Sequence, residues 1–260
     1  MSPIRWVLTE AAPIGWATLA LLASMGPAPT QAQDDGWRVH AVEYARSEGL
    51  PARRMDPEAA PDARVDVSWV FFVAVGHERV VLIDCGTDAL ASREGFRRRW
   101  AVTRAVGVRE ALGRVDRIPA EVTDVVLTHH HWDHVGGLGH FPRATVHVHR
   151  GTWARVPARL RRPVEREDRL HLVDGSAATL APGLTVRRTG RHTAHHLAVR
   201  VACPDGPVML AGDAASHRDS IDRLPAPIRA VGDDAVIPGH DPAIFTRHPG
   251  PTDGVAAICR

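Results

Sequence analysis

The chain has 260 residues, 44% of them hydrophobic, and its 32 basic and 30 acidic side chains leave a formal net charge of +2. This composition excludes an intrinsically disordered chain, and the charge balance provides no strong field to attract nucleic acid or an acidic membrane surface. Sixteen histidines are unusual for this length. Their positions along the chain are therefore the first guide to function.

The N-terminal region has the pattern of an export signal. Arg5 precedes a largely apolar stretch over residues 13–25, and small residues follow up to Ala32. The apolar stretch is too short to span a membrane, and its flanks are typical of a cleaved secretory peptide. We therefore expect residues 1–32 to be a signal peptide and the protein to be periplasmic or secreted, without a stable membrane anchor.

Residues 33–260 read as alternating strands and helices. The Pro-, Arg- and Ala-rich region 45–66 predicts a loop or flap, and the region 151–169 predicts an interrupted helix. The region 88–114 predicts one or two helices, because its apolar residues are spaced and proline is absent. β-branched and aromatic runs bounded by turn residues predict these strands: 67–75, 79–84, 122–128, 144–149, 170–173, 184–188, 196–202, 208–211 and 235–237.

Many strands with interspersed helices predict an α/β fold of two packed sheets covered by helices, a four-layer αββα sandwich. No internal repeat or linker is visible, so we expect one domain over residues 33–260. The three cysteines form no disulfide framework and no metal motif. We interpret Cys85 and Cys203 as small apolar residues near the core, and one bridge among the three cysteines remains open.

Metal-ligating side chains are concentrated directly after the strand 122–128. His129 and His131 are separated by one residue, which places both imidazoles on the same side of an extended segment. Asp133 and His134 follow, where a turn can direct them to a second point nearby. A Gly-Gly pair then allows the backbone to turn sharply. Four ligand-type side chains within six residues predict a metal site.

Three later segments add polar side chains, each next to a strand. His192 lies between two predicted strands and His196 begins the second of them, Asp213 follows the strand 208–211, and His240 follows the strand 235–237. Loops at strand ends gather at one edge of a sheet, where functional sites form. We therefore expect these residues to lie near the histidine cluster.

The order of these motifs resembles the metallo-β-lactamase-fold hydrolases. That family has an Asp after an early strand, a His-x-His-x-Asp-His motif, a later Gly-His region, a bridging Asp and a final His. The resemblance implies a dinuclear site with these members: His129, His131 and His192 for one ion; Asp133, His134 and His240 for the other; Asp213 between both; and Asp84 and His196 behind the ligands.

Imidazole and carboxylate ligands without thiolate favour two Zn²⁺ ions, with Mn²⁺, Fe²⁺ or Co²⁺ as alternatives. Two adjacent cations lower the pKa of a shared water to about 7, so that hydroxide is present near neutral pH. This metal-bridging hydroxide is expected to attack a carbonyl or phosphoryl centre. Asp133 is the expected catalytic residue, since it would both bind metal and transfer the proton.

Within the family, the chain most resembles the N-acyl homoserine lactonase-like members, both in length and in its ending from Val236 to Pro242. The resemblance implies a dinuclear hydrolase that opens a small lactone or cleaves a related ester. Those lactonases carry a Tyr about three residues after the bridging Asp. Here that region contains Ser216 and His217, whereas the only tyrosine of the chain is Tyr44. Ser216 or His217 is a candidate substitute for that Tyr, and the substrate remains open.

Alternative functions share part of this pattern. A β-lactamase-like enzyme is disfavoured because those enzymes lack the bridging Asp. A glyoxalase II-like thioesterase shares the ligands but carries a helical C-terminal domain, and only twenty residues follow His240. A mononuclear iron sulfur dioxygenase keeps the same motif, and metal stoichiometry would distinguish it. A non-catalytic metal-binding scaffold is disfavoured because all seven ligands are present.

Overall fold

The computed structural model describes residues 36–259, and the export signal predicted for residues 1–32 lies outside them. The described residues belong to one compact unit. The strands are β1 Arg38–Pro51, β2 Arg64–Gly76, β3 Arg79–Ile83, β4 Val102–Ala105, β5 Asp124–Leu127, β6 Thr145–His149, β7 Leu170–Val173, β8 Ala177–Ala181, β9 Leu184–Arg188, β10 Leu197–Cys203, β11 Gly206–Gly212, β12 Val236–Pro238 and β13 Val255–Cys259.

The helices are short, and none among the described residues is long and apolar enough to cross a membrane. The α-helices are α1 Ala89–Ser92, α2 Glu94–Arg99, α3 Val108–Gly113, α4 Trp132–Val135, α5 Arg150–Trp153, α6 Ala158–Arg166, α7 Ala226–Arg229 and α8 Ile244–Arg247. The 3₁₀ helices are Ala52–Arg54, Pro119–Glu121, Leu138–His140, Asp213–Ala215, Arg218–Arg223 and Asp233–Ala235.

The strands form two mixed sheets. The first has the order β13-β1-β2-β3-β5-β6-β7, with β4 paired to β1, and the second has the order β12-β11-β10-β9-β8. In the first sheet β3, β5, β6 and β7 run parallel to one another, whereas β1, β2 and β13 pair antiparallel. In the second sheet only β11 and β12 are parallel. The C-terminal ends of β3 and β5 therefore lie side by side in the first sheet, and those of β11 and β12 lie side by side in the second.

Both faces of the first sheet are buried, which explains the uninterrupted apolar run over residues 69–75 of β2. Trp69 and Phe71 belong to a core under α1, α3, α5 and α6, whereas Val70 and Phe72 belong to a core shared with the second sheet. Alternate side chains of a strand point to opposite faces, so one strand supplies both cores. Each large apolar side chain buried in this way contributes about 1.5–3 kcal/mol to folding.

The second sheet also has a covered outer face. Val199 of β10 faces the core between the sheets, while the neighbouring Ala198 packs in a third core with Ile221 and Ile228 from the helical segment after β11. The layers are thus helices, sheet, sheet and helices. The predicted four-layer αββα fold is confirmed.

Some predicted elements were wrong in detail. β1 continues to Pro51, so the loop predicted over 45–66 is limited to the residues between β1 and β2. Two register irregularities in the pairing of β1 with β2 interrupt the alternation that a sequence pattern needs. β4 interrupts the helices predicted over 88–114, because it pairs with β1. The short strands β8 and β13, at sheet edges, were also missed.

The interpretation of Cys203 as a small apolar residue was wrong as well, because Cys203 and Cys259 form a disulfide. The bridge links β10 of the second sheet to β13, the edge strand of the first. Cys85 is a buried free thiol, as interpreted. The two paired cysteines are 56 residues apart, so only the packing of the sheets brings them together.

Candidate metal centre

The predicted ligands lie at the ends of parallel strands in both sheets. In the first sheet Asp84 follows β3, and the segment from residue 129 to 134 follows the neighbouring strand β5. In the second sheet Asp213 follows β11 and His240 comes shortly after β12, while His192 lies in the loop between β9 and β10. The two sheets thus bring all five segments to one edge of the sandwich.

Asp84 connects the two strands β3 and β5 at this edge. Its Oδ1 accepts a hydrogen bond of 2.8 Å from the backbone N–H of Thr128, and its Oδ2 accepts one of 2.8 Å from the Thr128 hydroxyl. The same Oδ2 accepts a bond of 2.7 Å from Nδ1 of His134. Asp84 is buried and has a φ of +62°, in the left-handed region. The carboxylate orients His134 so that its Nε2 faces the site.

A tight turn after β5 places the remaining ligands of the cluster. His131 precedes α4, whose first turn contains Asp133 and His134. Behind the turn, a Cβ on Gly137 would lie 2.1 Å from the carbonyl oxygen of Cys85, so only glycine fits there. Tyr44, which is buried, donates a hydrogen bond of 3.0 Å to the backbone carbonyl of Asp133. The turn is therefore held by packing against β1 and β3.

One group of side chains consists of His129, His131, His192 and Asp213, whose potential ligand atoms all lie within 4.8 Å of one another. Nε2 of His192 lies 3.1 Å from Nε2 of His129 and 3.0 Å from Nδ1 of His131. Asp213 Oδ2 lies 3.3 Å from the His192 nitrogen. We call this set the outer group, because His131 and His192 are partly open to solvent.

A second group consists of Asp133, His134, Asp213 and His240, all four of which are buried. Nε2 of His134 lies 3.0 Å from Asp133 Oδ2 and 3.1 Å from Asp213 Oδ1. Nε2 of His240 lies 3.0 Å from the same Oδ1. The Nδ1–H of His240 donates to the carbonyl of Ser68 at 3.0 Å, which leaves its Nε2 directed into the group. We call this set the inner group.

Three atoms of the inner group fit the expectation of a bound cation. Nε2 of His134, Nε2 of His240 and Oδ1 of Asp213 are buried and, despite their close approach, have no hydrogen-bond partner within residues 36–259. Buried polar atoms are rarely left without partners in folded proteins. Nitrogen and oxygen donors in this arrangement suit Zn²⁺ and related divalent ions. The residues present therefore fit a metal, and Asp213 directs one oxygen to each group.

The imidazoles of the outer group are held in the neutral form. Burial lowers the pKa of His131 to about 4, with the charge of His192 as a further cause. Burial is also the largest cause of the lowered pKa values of His129 and His192. A neutral imidazole presents a lone pair to a metal, so these side chains need no deprotonation at neutral pH to act as ligands.

The inner group has the opposite electrostatics in the absence of a cation. Burial lowers the pKa of His134, but the charges of Asp213 and Asp133 outweigh it and raise that pKa well above its usual value. Burial also lowers the pKa of His240, but the charges of the same carboxylates outweigh this effect, so the pKa of His240 is raised. Burial raises the pKa of Asp213, yet His134 and His240 hold it well below the usual range. The carboxylates thus attract positive charge to this point.

Other residues singled out in the sequence lie around the two groups. His196 is fully buried, with its ring centroid 5.2 Å from that of His129, and belongs to neither group. Ser216 lines the cavities in front of the site together with Asp213 and His192. His217 donates from Nε2 to the backbone carbonyl of Asp66 at 3.0 Å.

Two adjoining cavities open onto the ligands. One, of about 410 Å³, has acidic and basic side chains around its wall, including Glu58 and Arg223. The other, of about 270 Å³, has an aromatic wall formed by Trp69, Trp100 and Trp132. These indole rings contact one another, with centroids 5.3–5.5 Å apart. The site therefore offers an apolar surface directly beside the polar ligands.

Sequence reasoning missed several supporting residues. The hydroxyl of Thr128 donates to Asp84 and lies 3.0 Å from Nδ1 of His129, so it orients that ring. Its position just before the histidine cluster was the one available signal. The roles of Tyr44 and of the Ser68 carbonyl depend on the pairing of distant segments, which the sequence does not display.

Comparison with known proteins defines the family. The model of the metallo-beta-lactamase superfamily matches residues 63–228. The chain therefore belongs to this superfamily, and the predicted membership is confirmed. A probable metallo-hydrolase of Mycobacterium tuberculosis is 28% identical over 135 residues, and its counterpart in Mycobacterium bovis matches equally well. The match spans 43% of this chain and 44% of each relative, so the chain covers less than half of their length.

Solved structures show the same fold. An N-acyl homoserine lactone hydrolase with N-hexanoyl-L-homoserine at its catalytic metal centre superposes with a TM-score of 0.66 at 16% identity, over 81% of this chain and 95% of that chain. A variant of AiiA from Bacillus thuringiensis with N-decanoyl-L-homoserine bound gives 0.65 at 16% identity, over the same shares. The dizinc lactonase AidC gives 0.58 at 14% identity, over 86% and 94%. At these identities the likeness establishes the fold.

Proposed function

We propose that the protein is a hydrolase that uses two divalent cations to open a lactone or cleave a related ester of a small molecule. Zinc is the cation that we expect first. Asp213 carries this proposal. It directs Oδ2 toward the outer group and leaves Oδ1 without a hydrogen-bond partner in the inner group. A single carboxylate shared by two ligand sets is the arrangement that holds two ions side by side.

The residues of the site divide the work of such a reaction. When bound, two adjacent cations supply an acidified water near neutral pH and polarise the substrate oxygen. Asp133, a buried carboxylate that also lines the aromatic-walled cavity, would accept the proton of the attacking water and return it to the leaving oxygen. Asp84 and the Ser68 carbonyl keep His134 and His240 oriented throughout.

The aromatic wall supports a substrate with an apolar substituent. Trp69, Trp100 and Trp132 line the cavity that also contains His131 and Asp213. An acyl chain or aryl group placed against these rings would be removed from water while its carbonyl lies at the ligands. Structural neighbours with acyl homoserines bound are consistent with this placement.

The test combines metal analysis with a substrate panel. Purified protein is analysed for zinc, manganese, iron and cobalt and is assayed with acyl lactones, aryl esters, a thioester and nitrocefin. We expect two ions per chain and hydrolysis of lactones or esters. A fully metallated protein that hydrolyses none of these compounds would refute the proposal.

Ser216 and His217 form a matched pair for the substrate contact. Ser216 lines both cavities, and no hydrogen bond of its hydroxyl is found among the described residues. His217 is already engaged with the Asp66 carbonyl. We expect Ser216→Ala to raise KM about tenfold with metal content unchanged, as for one lost hydrogen bond. A rise in KM for His217→Ala alone would assign the contact to His217 instead.

The same panel separates the alternative functions. Preference for nitrocefin would indicate a β-lactamase-like enzyme, and preference for the thioester would indicate a glyoxalase II-like one. A mononuclear iron sulfur dioxygenase would contain one iron per chain and would consume oxygen. The shared position of Asp213 favours the dinuclear hydrolase over this last candidate.

We also propose that the protein is exported. Support comes from the signal pattern of residues 1–32 and from the Cys203–Cys259 bridge, because disulfides persist in oxidising compartments. Cell fractionation with N-terminal sequencing tests this proposal. Recovery of the protein in the cytosol with an intact N-terminus would contradict it.

A further inference from the structure

A third cavity borders the outer group. It has a volume of about 270 Å³ and shares the side chains of His131 and His192 with the metal site. The remaining lining comes from His130, from the loop between β9 and β10, and from α5 with Arg155 two residues after it. The proposed hydrolase reaction makes no use of this space. Its other lining residues are His130, Gly151, Thr152, Arg155, Thr193, Ala194 and His195.

The lining of this cavity contains hydrogen-bond donors but no carboxylate. The guanidinium of Arg155 forms no ion pair or hydrogen bond with any described residue, although it lies near enough to His130 to act on it electrostatically. Thr193 Oγ1 and His195 Nδ1 are buried, and neither has a hydrogen-bond partner in the part of the chain that the structure describes. Arg155 is exposed to solvent and its charge needs no partner, but a guanidinium beside buried polar atoms that lack partners suits a bound anion.

The backbone is built around the histidine of this cavity. The ring of His195 stacks on that of His149, with centroids 4.5 Å apart and planes 9° from parallel. A Cβ on Gly151 would lie 2.2 Å from the His195 ring, so the ring occupies space that only glycine leaves open. The hydroxyl of Thr152 donates to the carbonyl of His195 at 3.1 Å. These contacts hold His195 in one position beside the cavity.

We propose that this cavity binds a small oxyanion, a carboxylate carried by the substrate at a distance from the bond that is cleaved. Arg155 supplies the charge, and Thr193 and His195 supply hydrogen bonds. Because His131 and His192 border both spaces, the anion binds next to the outer group while the scissile carbonyl faces the ligands. That the anion belongs to the substrate rests on the proposed hydrolase function, whereas anion binding itself does not.

The first test measures selectivity between two esters in the zinc-loaded protein. The 4-nitrophenyl monoester of glutaric acid carries a free carboxylate, and its methyl ester is the neutral counterpart. The selectivity is the kcat/KM of the anionic ester divided by the kcat/KM of the neutral ester. We expect Arg155→Ala to lower this ratio about tenfold or more, as for one lost charged hydrogen bond, through a higher KM for the anionic ester. Arg155→Lys should retain part of the ratio, because it keeps the charge but not the planar donor pair.

Arg162→Ala is the matched control. Arg162 is exposed on α6 and forms no ion pair among the described residues. Its replacement by alanine removes the same charge as Arg155→Ala. The ratio of the two esters should stay at the wild-type value in this variant. An equal fall in Arg155→Ala and Arg162→Ala would mean that only net charge matters, and it would overturn the proposal.

The second test is independent of catalysis. Inorganic sulfate is titrated calorimetrically into zinc-loaded wild-type protein and both Arg→Ala variants, with circular dichroism as the check on folding. We expect sulfate affinity to fall about tenfold in Arg155→Ala and to stay constant in Arg162→Ala. Equal affinities in the two variants would overturn anion binding in the cavity. Weaker sulfate binding with an unchanged ester ratio would overturn only its assignment to the substrate.

If neither ester is hydrolysed by any variant, the proposed function has failed for esters, and the sulfate titration still decides whether the cavity binds an anion.

Discussion

The two ligand groups share Asp213 but differ in how the fold supports them. In the inner group all side chains are buried, and Asp84 and the Ser68 carbonyl fix the rings of His134 and His240. The outer group includes His192, which lies in a loop, is partly exposed and has a φ of +60°. Oriented ligands bind metal more tightly than mobile ones. We therefore expect the inner group to bind a divalent cation more tightly than the outer group, although the two groups have similar donors.

The largest effect is expected at the residue common to both groups. Asp213→Ala removes one ligand from each group, so metal content should fall from two ions to one or fewer. The value of kcat should fall by more than the ~10–100-fold typical of residues that only support a ligand. Plasma emission analysis and steady-state kinetics measure both. Wild-type metal content and rate in this variant would contradict the shared position of Asp213.

A paired substitution tests the difference between the groups. His192→Ala should leave one tightly held ion, because the inner group is intact, whereas His240→Ala should leave only the weaker outer site. Stepwise chelator titration of the wild-type protein should release two ions at separate chelator concentrations. In His192→Ala, the ion that the wild-type protein releases at the lower chelator concentration should be absent from the titration. Equal retention of metal in the two variants would show that burial does not rank the sites.

Support of the inner group is tested through Asp84. Asp84→Asn keeps the size of the side chain but weakens its hold on the Nδ1–H of His134, so metal affinity of the inner group should fall ~10–100-fold. Competition with a zinc indicator gives this number. Asp174→Asn is the control, since Asp174 lies on the surface in an ion pair with Arg150. Similar losses in both variants would argue against an orienting role.

The smallest effect concerns protonation in the metal-free protein. The pKa of His131 lies at about 4, mainly through burial, whereas the carboxylates around His240 overcome its burial and raise that pKa. The stability contribution of neutral His131 is therefore complete above about pH 6.5 and is lost as the pH falls toward 4. That of protonated His240 is complete below about pH 6.5 and is lost as the pH rises through its folded pKa.

Nuclear magnetic resonance titration of the ring Cε1–H signals measures these protonation states directly. We expect His131 to remain neutral at pH 5.5 and His240 to remain protonated somewhat above pH 6.5 in the same sample. Coincident titration of the two rings would remove the electrostatic difference between the groups.

The candidate site could be predicted far more completely than the fold around it. His129, His131, Asp133 and His134 are close in sequence, so their proximity in space follows from one turn after one strand. The extended strand β1 was partly read as a loop, because its bulges interrupt the alternation and its proline-rich end resembles a linker. Pairing with β2 and β4 gives that segment its structure, and such pairing is not a local property.

The sequence by itself determined the superfamily, the residue types of the candidate metal centre and their order along the chain, because ligand chemistry is a property of single side chains and short spacings. The tertiary structure alone decided the rest. It separated a buried ligand group from a partly open one, paired Cys203 with Cys259, turned His217 toward the Asp66 carbonyl and placed Arg155 at a cavity beside the ligands. Each of these outcomes depends on contacts between segments far apart in the chain.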